Sequence, residues 1–319
     1  MRKIIIDTDP GIDDAAAIAI AMFSRELDVQ LITTVAGNVS LDKTTHNALR
    51  LMSLWGSDVP VAAGADRPLV GPVYDASEAH GESGMEGFDF DAVTVQPLPM
   101  HAVEAMRRVL MASKEKITLV PIGPLTNIAL LFSLYPEVKE KIDEIVLMGG
   151  AFLRGNITPL GEFNIFADPE AADMVFRSGM PIVMCGLELA RSALITGEMV
   201  ARIRDLNPTG QMVYSLFEHY RGGDMEKGQR MYDSTAVCYL LAPELYTTRD
   251  CFVGVEVASP LTRGATVCDL EDFWHREPNV KVCTAVDPQG FADLFLRSLA
   301  EANGAPENPT AATWLWEEQ

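Results

Sequence analysis

Short apolar segments rich in β-branched residues alternate with longer segments of helical character along the first two thirds of the chain. The apolar segments lie at residues 4–6, 29–35, 59–62, 117–121, 145–148 and 182–185. The helical segments lie between them, at 14–23, 41–55, 101–112, 125–134 and 168–178. This alternation is typical of βαβ units, and continuous apolar runs are typical of strands buried on both faces. The pattern predicts an α/β fold with an open, mostly parallel, doubly wound sheet of the Rossmann-like type.

The last third of the chain has a different pattern. Residues 186–245 look helical, whereas residues 252–286 contain three short strand-like segments, FVGVEVA, ATVCDL and VKVCTAV. We predict a helical segment, a small C-terminal β meander and a final helix, GFADLFLRSLAEA. We find no internal repeat and no long linker, so we predict one domain over residues 1–319. Residues 65–100, with many Gly, Pro and acidic residues, are the best candidate for a mobile loop.

The charge balance limits the class of partner. The 319 residues include 25 Lys and Arg against 45 Asp and Glu, a formal net charge of −20. Nucleic-acid binding needs basic side chains, so we expect no such partner. No apolar run reaches transmembrane length and the chain starts directly with a strand, so we expect no membrane association and no signal peptide. Five cysteines without CxxC spacing suggest free thiols in the cytoplasm.

Four aspartates follow the first apolar run, in the segment IIIDTDPGIDDA at residues 4–15. Asp7 and Asp9 can project to one side where the strand ends. Asp13 and Asp14 begin the next helix, whose N-terminus favours anions. The carboxyl end of a strand is the usual ligand crevice of such a sheet. Four converging carboxylates need a cation, and hard oxygen ligands suit Ca²⁺ or Mg²⁺.

Three other interpretations of these aspartates are weaker. An Asp at a helix start is often only a cap, which explains one aspartate better than four. An EF-hand loop counted from Asp7 needs Glu at its twelfth position, where this chain has Ile18. An Asp-based phosphatase also places an Asp-x-Asp pair after a strand. Its next turn usually carries Thr, whereas here Pro10, Gly11 and a second Asp pair follow.

Polar side chains also follow other predicted strands. ITTVAGN ends at Asn38, and ITLVPIGPLTNIA places Thr126 and Asn127 at a helix start. The segment after IVLMGG carries a further set: Asn156, Glu162 and Asn164. Clustered amides and carboxylates outside strand ends offer the paired donors and acceptors that bind a vicinal diol.

Taken together, these pieces resemble the inosine-uridine-preferring nucleoside hydrolase family. Six segments carry the resemblance, in family order: DTDPGIDDA (7–15), TTVAGN (33–38), HGESGM (80–85), IGPLTNIA (122–129), MGGAFLRGNITPLGEFNIFADPEAA (148–172) and YDSTAVCYLLAPEL (232–245). The family has an open α/β sheet with Ca²⁺ at the bottom of the pocket. Its members are commonly dimers or tetramers. The resemblance therefore implies bound Ca²⁺ and a homodimer or homotetramer.

The resemblance also implies a role for individual residues. The implied metal ligands are Asp9, Asp14, the backbone carbonyl of Thr126, and Asp233. The implied ribose contacts are Asp13, Asn38, Asn156, Glu162 and Asn164. Met148 and Phe163 would line the pocket, and His80 would cover the substrate from the loop. Asp7 would support the cluster from just outside the metal shell.

The implied reaction is hydrolysis of the N-glycosidic bond of a ribonucleoside, which releases ribose and a free purine or pyrimidine base. Breaking this bond develops positive charge on the ribose, and nearby carboxylates stabilise that charge. A metal-bound water is a better nucleophile, and Asp9 would accept its proton as general base. Because Ca²⁺ would also orient the ribose hydroxyls, we expect deoxyribose to be a poor substrate.

One position departs from the family pattern. Members that act on inosine and uridine usually carry His just before the last metal Asp, where this chain has Tyr232. Tyr232 could donate to the leaving base or stack on it. His219, Tyr214, Tyr220 and Arg230 are near in sequence and could substitute. The departure leaves the base preference open. It also leaves a second function class beside the hydrolase, a diverged, non-catalytic ribose or nucleoside binder.

Overall fold

The computed structural model describes residues 1–220, 228–308 and 315. The strands in this part of the chain are β1 (Arg2–Thr8), β2 (Leu27–Thr34), β3 (Val61–Ala63), β4 (Ile117–Pro121), β5 (Ile142–Met148), β6 (Ile182–Cys185), β7 (Leu194–Ile195), β8 (Gln229–Arg230), β9 (Tyr246–Val255), β10 (Thr266–Asp269) and β11 (Val280–Val286). The α-helices are α1 (Ile12–Phe23), α2 (Leu41–Trp55), α3 (Ser77–His80), α4 (Ala102–Ala112), α5 (Thr126–Leu134), α6 (Phe163–Ala167), α7 (Pro169–Phe176), α8 (Gly197–Arg204), α9 (Pro208–Phe217), α10 (Asp233–Leu241) and α11 (Pro288–Glu301).

One large sheet organises the described residues. Its nine strands lie in the order β10-β9-β11-β6-β5-β4-β1-β2-β3. The pairs from β11 to β3 are parallel, and β9 is antiparallel to both of its neighbours. β7 and β8 form a separate two-stranded antiparallel sheet. The predicted α/β class with a mostly parallel sheet is confirmed.

The three predicted C-terminal strands are present, and they extend the edge of the main sheet. β9 lies between β10 and β11, and β11 pairs in parallel with β6. Their order therefore differs from that of a simple meander, in which each strand neighbours the next. The chain between β9 and β10 also reaches the segment after β5, because Gly161 and Ala265 form a β-bridge. That residues 1–319 form one domain stays a prediction.

The predicted boundaries agree with the observed ones to within a few residues. β4 and β6 have the predicted bounds, whereas β1 extends beyond the predicted residues 4–6 at both ends. The extension is polar: Arg2 pairs with Leu27, and Thr8 pairs with Thr34. Ladder hydrogen bonds come from the backbone, so apolar residues mark only the buried middle of such a strand.

Both faces of the sheet are covered. Along β1, Ile4 and Ile6 belong to one apolar core with α1, and Ile5 belongs to the other core with α4 and α5. This explains the continuous apolar run of β1. Every residue of α1 from Ile12 to Met22 is buried, and α1 packs against α10. The first turn of α1 is therefore buried and held in place by packing, directly after the carboxyl end of β1.

No helix in the described part of the chain is long and apolar enough to span a membrane. The region at 65–100 contains the short helix α3 and, within these residues, no strand. Its mobility stays a prediction.

Candidate active site

A cleft of about 730 Å³ opens at the carboxyl ends of the central parallel strands. Asp13, Asn38 and Ile122, which follow β1, β2 and β4 in turn, line it together with Met148, the last residue of β5. Parallel strands end at the same edge of a sheet, which is the usual place for a ligand in this architecture. The loop with α3 and the start of α10 complete the walls.

Three carboxylates meet at the floor of this cleft. Asp13, Asp14 and Asp233 each place a side-chain oxygen within 4.8 Å of the others, and all three are buried. Asp13 and Asp14 lie in the first turn of α1, and Asp233 is the first residue of α10. The packing of α1 against α10 thus joins two helix N-termini, where backbone N–H groups favour negative charge. These residue types, at this spacing, can hold a hard cation.

Neighbouring polar groups fix two of the predicted metal ligands. Thr8 Oγ1 donates to Asp14 Oδ1 at 2.6 Å, while Gly11 N and Asn38 Nδ2 donate to Asp14 Oδ2 at 2.9 and 3.0 Å. Asn38 N donates to Asp9 Oδ2 at 2.7 Å. Asp9 Oδ1 is buried and has no hydrogen-bond partner among the described residues. Leaving a buried carboxylate oxygen without a hydrogen-bond partner costs free energy. A bound cation or the water molecule that attacks the substrate would give this oxygen a partner.

Two glycines make room for Asp9. A Cβ added at Gly37 would lie 2.1 Å from Asp9 Oδ2, and one at Gly123 would lie 2.5 Å from Asp9 Oδ1. Any side chain at either position would displace the carboxylate. The backbone turns after β2 and β4 therefore form a close-fitting wall around Asp9.

Burial and mutual repulsion favour the protonated form of these acids. Burial, together with the charge of Asp13, raises the pKa of Asp14 from 3.8 to about 6. Burial and the charges of Asp14 and Asp13 raise the pKa of Asp9 well above its ordinary value. Burial and the charges of Asp13, Asp14 and Asp9 do the same to the pKa of Asp233. A hard divalent cation would replace such protons, so the donor set fits a metal ion.

The predicted metal ligands are only partly gathered in this cluster. Asp14 and Asp233 belong to it, and the third member is Asp13, which we predicted as a ribose contact. Asp9 interacts with the cluster electrostatically without being one of the three. Thr126 begins α5, and its hydroxyl donates to Asp168 Oδ2 at 2.7 Å. The exact ligand set, including the Thr126 carbonyl, stays a prediction.

Asp7 is buried near the end of β1, and its role as a support for the cluster stays a prediction. Its Oδ1 accepts from Thr33 Oγ1 at 2.6 Å and from Asn127 Nδ2 at 2.8 Å. Burial raises its pKa from 3.8 to about 7. Asn127, which the sequence placed at a strand end without a role, thus positions a buried carboxylate.

The segment after β5 brings a second polar group to the cleft. Asn156, Glu162 and Asn164 all line it, and so do Met148 and Phe163. Asn156 Oδ1 accepts from Phe163 N at 2.9 Å, and Asn164 Nδ2 donates to Met148 O at 3.2 Å. These bonds fix the side chains along one wall. Their contacts with ribose stay predictions.

Glu162 is held by the main chain. Its carboxylate accepts from Asn164 N at 3.0 Å, Ile165 N at 3.1 Å and Gly150 N at 2.9 Å. Burial nevertheless raises its pKa from 4.5 to about 7. Glu162 therefore caps α6 and, at the same time, ties this helix to the end of β5.

His80 and Tyr232 also line the cleft. His80 Nδ1 accepts from Ile12 N at 3.1 Å, so a neutral His80 carries its proton on Nε2. It also lies 3.9 Å from Asp13 Oδ1. Tyr232 immediately precedes α10 and is 9% exposed.

Tyr220 lines the cleft, and sequence analysis named it only as one of four possible substitutes for the missing histidine. Its hydroxyl donates to Asp13 Oδ2 at 3.1 Å, and its ring lies 5.1 Å from that of His80. Of the four residues proposed as substitutes near Tyr232, Tyr220 lines the cleft, whereas His219 and Tyr214 bond within their own helical region. The only sequence signal was proximity to Tyr232, because the contact with Asp13 joins distant segments.

Comparison with known sequences agrees with this geometry. The family model described as inosine-uridine preferring nucleoside hydrolase matches residues 4–293. The non-specific ribonucleoside hydrolase RihC of Salmonella paratyphi B is 54% identical over 299 residues, which cover 94% of this chain and 98% of the relative. RihC of Klebsiella pneumoniae is 54% identical over 288 residues, which cover 90% of this chain and 95% of the relative.

Solved structures of similar enzymes share the fold. An inosine-guanosine nucleoside hydrolase superposes with a TM-score of 0.88 at 29% identity, over 94% of this chain and 99% of its own. A purine-preferring ribonucleoside hydrolase from Gardnerella vaginalis superposes with a TM-score of 0.86 at 30% identity, with the same coverage. The predicted family is confirmed: this chain belongs to the inosine-uridine preferring nucleoside hydrolases and is an enzyme that hydrolyses the N-glycosidic bond of ribonucleosides.

Proposed function

We propose that this enzyme is a Ca²⁺-dependent ribonucleoside hydrolase of broad base preference, with Asp9 as the general base. The observation that carries this proposal is the buried carboxylate cluster at the cleft floor, beside the unpartnered Oδ1 of Asp9. Broad preference is supported by relatives at 54% identity that are named non-specific ribonucleoside hydrolases. The products are ribose and a free purine or pyrimidine base.

The cation would be held by Asp9, Asp14, Asp233 and the backbone carbonyl of Thr126. When bound, Ca²⁺ supplies positive charge that offsets the carboxylates, orients the ribose diol and makes water more acidic. Ca²⁺ is favoured because the available donors are oxygens and the site is rich in carboxylates.

Asp9 is suited to accept a proton. Asn38 N holds its Oδ2 at 2.7 Å, which leaves Oδ1 as the oxygen without a partner among the described residues. Burial and the nearby carboxylates raise the pKa of Asp9, which makes it a stronger base than an exposed Asp. One oxygen therefore fixes the side chain and the other receives the proton of the attacking water.

The cleft is also suited to the cationic ribose that develops as the bond breaks. Asp13 and Asp233 line the cleft, and with the cation bound their carboxylates would place negative charge close to the sugar. Fixed charges of this kind stabilise a transition state without reorganising. Asn156, Glu162 and Asn164 would bind the ribose from the opposite wall, and Tyr232 would stack on the base.

The test is ribose release from a panel of purine and pyrimidine ribonucleosides, measured as kcat/KM. We expect turnover of both base classes, loss of turnover with a chelator, and recovery when Ca²⁺ is added back. Release of ribose from no member of the panel would contradict the proposal.

Metal content provides a separate test. Elemental analysis of protein purified without added metal should find one Ca²⁺ per chain. A metal-free preparation with full activity would rule out the calcium requirement while leaving the hydrolase assignment intact.

We further propose that the enzyme acts in the cytoplasm as a homodimer or homotetramer. The resemblance to the family supports the oligomer, and the cysteine usage supports the compartment. Light scattering of the purified protein gives the oligomer mass, and a monomer at micromolar concentration would contradict it.

A further inference from the structure

Thr266 holds the chain that follows β5, although it lies on β10. Its Oγ1 accepts from Ala151 N at 2.8 Å and donates to Ala151 O at 2.6 Å. A Cβ added at Gly150 would lie 3.0 Å from both Thr266 Oγ1 and Met184 Sδ, so the threonine packs directly against this main chain. One buried hydroxyl thus satisfies the donor and the acceptor of the same residue.

Glu188 holds the next two residues of the same stretch. Its Oε1 accepts from Phe152 N at 3.1 Å and from Leu153 N at 2.8 Å. Its Oε2 is buried and has no hydrogen-bond partner among the described residues. The neighbouring Leu187 N donates to Gly150 O at 3.0 Å. The region after β6 therefore fixes the chain after β5 at several consecutive peptide groups.

These contacts lead to the wall of the cleft through Gly150. Gly150 N is one of the three backbone donors that hold the Glu162 carboxylate. The same C-terminal strands contact the far end of the segment, where Gly161 bridges Ala265. A shift of residues 150–153 would therefore move Glu162, and a misplacement of about 1 Å can lower a rate by about a hundredfold.

We propose that Thr266 and Glu188 are positioning residues for ribose recognition. Neither lines the cleft, so each acts through the main chain of residues 150–153 and through Glu162. The inference rests on the proposed function, in which Asn156, Glu162 and Asn164 contact the ribose. It assigns a function in the reaction to the C-terminal strands, which lie at the edge of the sheet away from the carboxylate cluster.

Paired variants separate the hydrogen bonds from the packing. Thr266→Val keeps the shape and removes the hydroxyl, whereas Thr266→Ser keeps the hydroxyl. Glu188→Ala removes the acceptor, whereas Glu188→Gln keeps Oε1 and changes only the oxygen without a described partner. Thr284→Val controls for the loss of a threonine hydroxyl in the same C-terminal strands, because Thr284 Oγ1 donates to Thr247 O at 3.1 Å in an exposed hydrogen bond away from residues 150–153.

Kinetics on uridine and 2′-deoxyuridine give the first readout. We expect Thr266→Val and Glu188→Ala to lower kcat/KM for uridine by about 10- to 100-fold, the effect of losing one or two buried hydrogen-bond partners. The loss of kcat/KM on 2′-deoxyuridine should be smaller. The ratio of kcat/KM for uridine to kcat/KM for 2′-deoxyuridine should therefore fall. Thr266→Ser, Glu188→Gln and Thr284→Val should stay within about threefold of wild type.

Hydrogen exchange gives a readout that does not depend on substrate. In Thr266→Val and Glu188→Ala, backbone exchange should increase in residues 150–166 and stay unchanged in α1 and α10. An equal loss on both substrates with faster exchange throughout the chain would mean a purely structural role and would overturn the inference. Unchanged kinetics and exchange would overturn it as well.

The kinetics of the wild-type protein distinguish a failure of this inference from a failure of the proposed function. If wild type releases ribose from no nucleoside, or cleaves uridine and 2′-deoxyuridine equally, the proposed function or its ribose contacts fail. Exchange in residues 150–166 would then still decide whether Thr266 and Glu188 position this segment.

Discussion

Replacing Asp7 by Asn tests the electrostatics of the buried carboxyl group near the end of β1. Asp7 Oδ1 accepts two hydrogen bonds, from Thr33 and Asn127, whereas Oδ2 has no hydrogen-bond partner among the described residues. Burial raises the pKa of Asp7 from 3.8 to about 7. Asp7→Asn can keep the accepting oxygen and removes the charge, so it isolates the cost of ionising this buried group.

The sign of the pH effect follows from the raised pKa. Below pH 3.8 Asp7 is protonated in both states, and its full contribution to stability is present. As the pH rises, the unfolded chain releases the proton first, so stability is lost until the pH passes about 7. At about 1.4 kcal/mol for each pH unit, this group costs wild type about 3 kcal/mol between about pH 5 and about pH 8.

The assay is urea unfolding of wild type and Asp7→Asn at both pH values, with EDTA present so that no cation contributes. The new buried NH₂ group can cost about 1–3 kcal/mol at either pH. The free energy of unfolding of Asp7→Asn relative to wild type should therefore rise by about 3 kcal/mol from the lower to the higher pH. Asp42→Asn, at an exposed position, controls for the loss of one carboxylate. A difference that is the same at both pH values would refute the raised pKa of Asp7.

Three further predictions concern catalysis. Asp9→Asn should keep the fold and most metal affinity but lose about 10²–10⁴-fold in kcat, because an amide cannot accept a proton; near-normal kcat would move the base to another residue. 2′-Deoxynucleosides should react far more slowly than ribonucleosides, by up to about 10⁴–10⁵ in kcat/KM, and equal rates on uridine and deoxyuridine would contradict this. Tyr232→Phe should lose less than about tenfold in kcat, since stacking needs only the ring, whereas Tyr232→Ala should lose about 1–3 kcal/mol in kcat/KM. A loss of several hundredfold in Tyr232→Phe, on poor leaving groups but not on p-nitrophenyl riboside, would make the hydroxyl the acid.

The local pattern of the sequence determined the elements and part of the site. Apolar runs marked the buried middle of the parallel strands, because both faces of the sheet are covered. A cation site was predicted because four aspartates lie close together between the first strand and the first helix: Asp7, Asp9, Asp13 and Asp14. Carboxylates this close in sequence repel one another unless a cation binds them. The family followed from the order of the motifs, since a set of six is far more specific than any one of them.

Tertiary packing decided which distant residues meet. Asp233 joins Asp14 because α10 packs against α1, and Tyr220 reaches Asp13 across the cleft. The order β10-β9-β11 placed Thr266 against the chain after β5. Side-chain periodicity reports which face of an element is buried, but it carries no information about which element covers that face. Contacts between remote segments are fixed only when the whole sheet and its helices pack together.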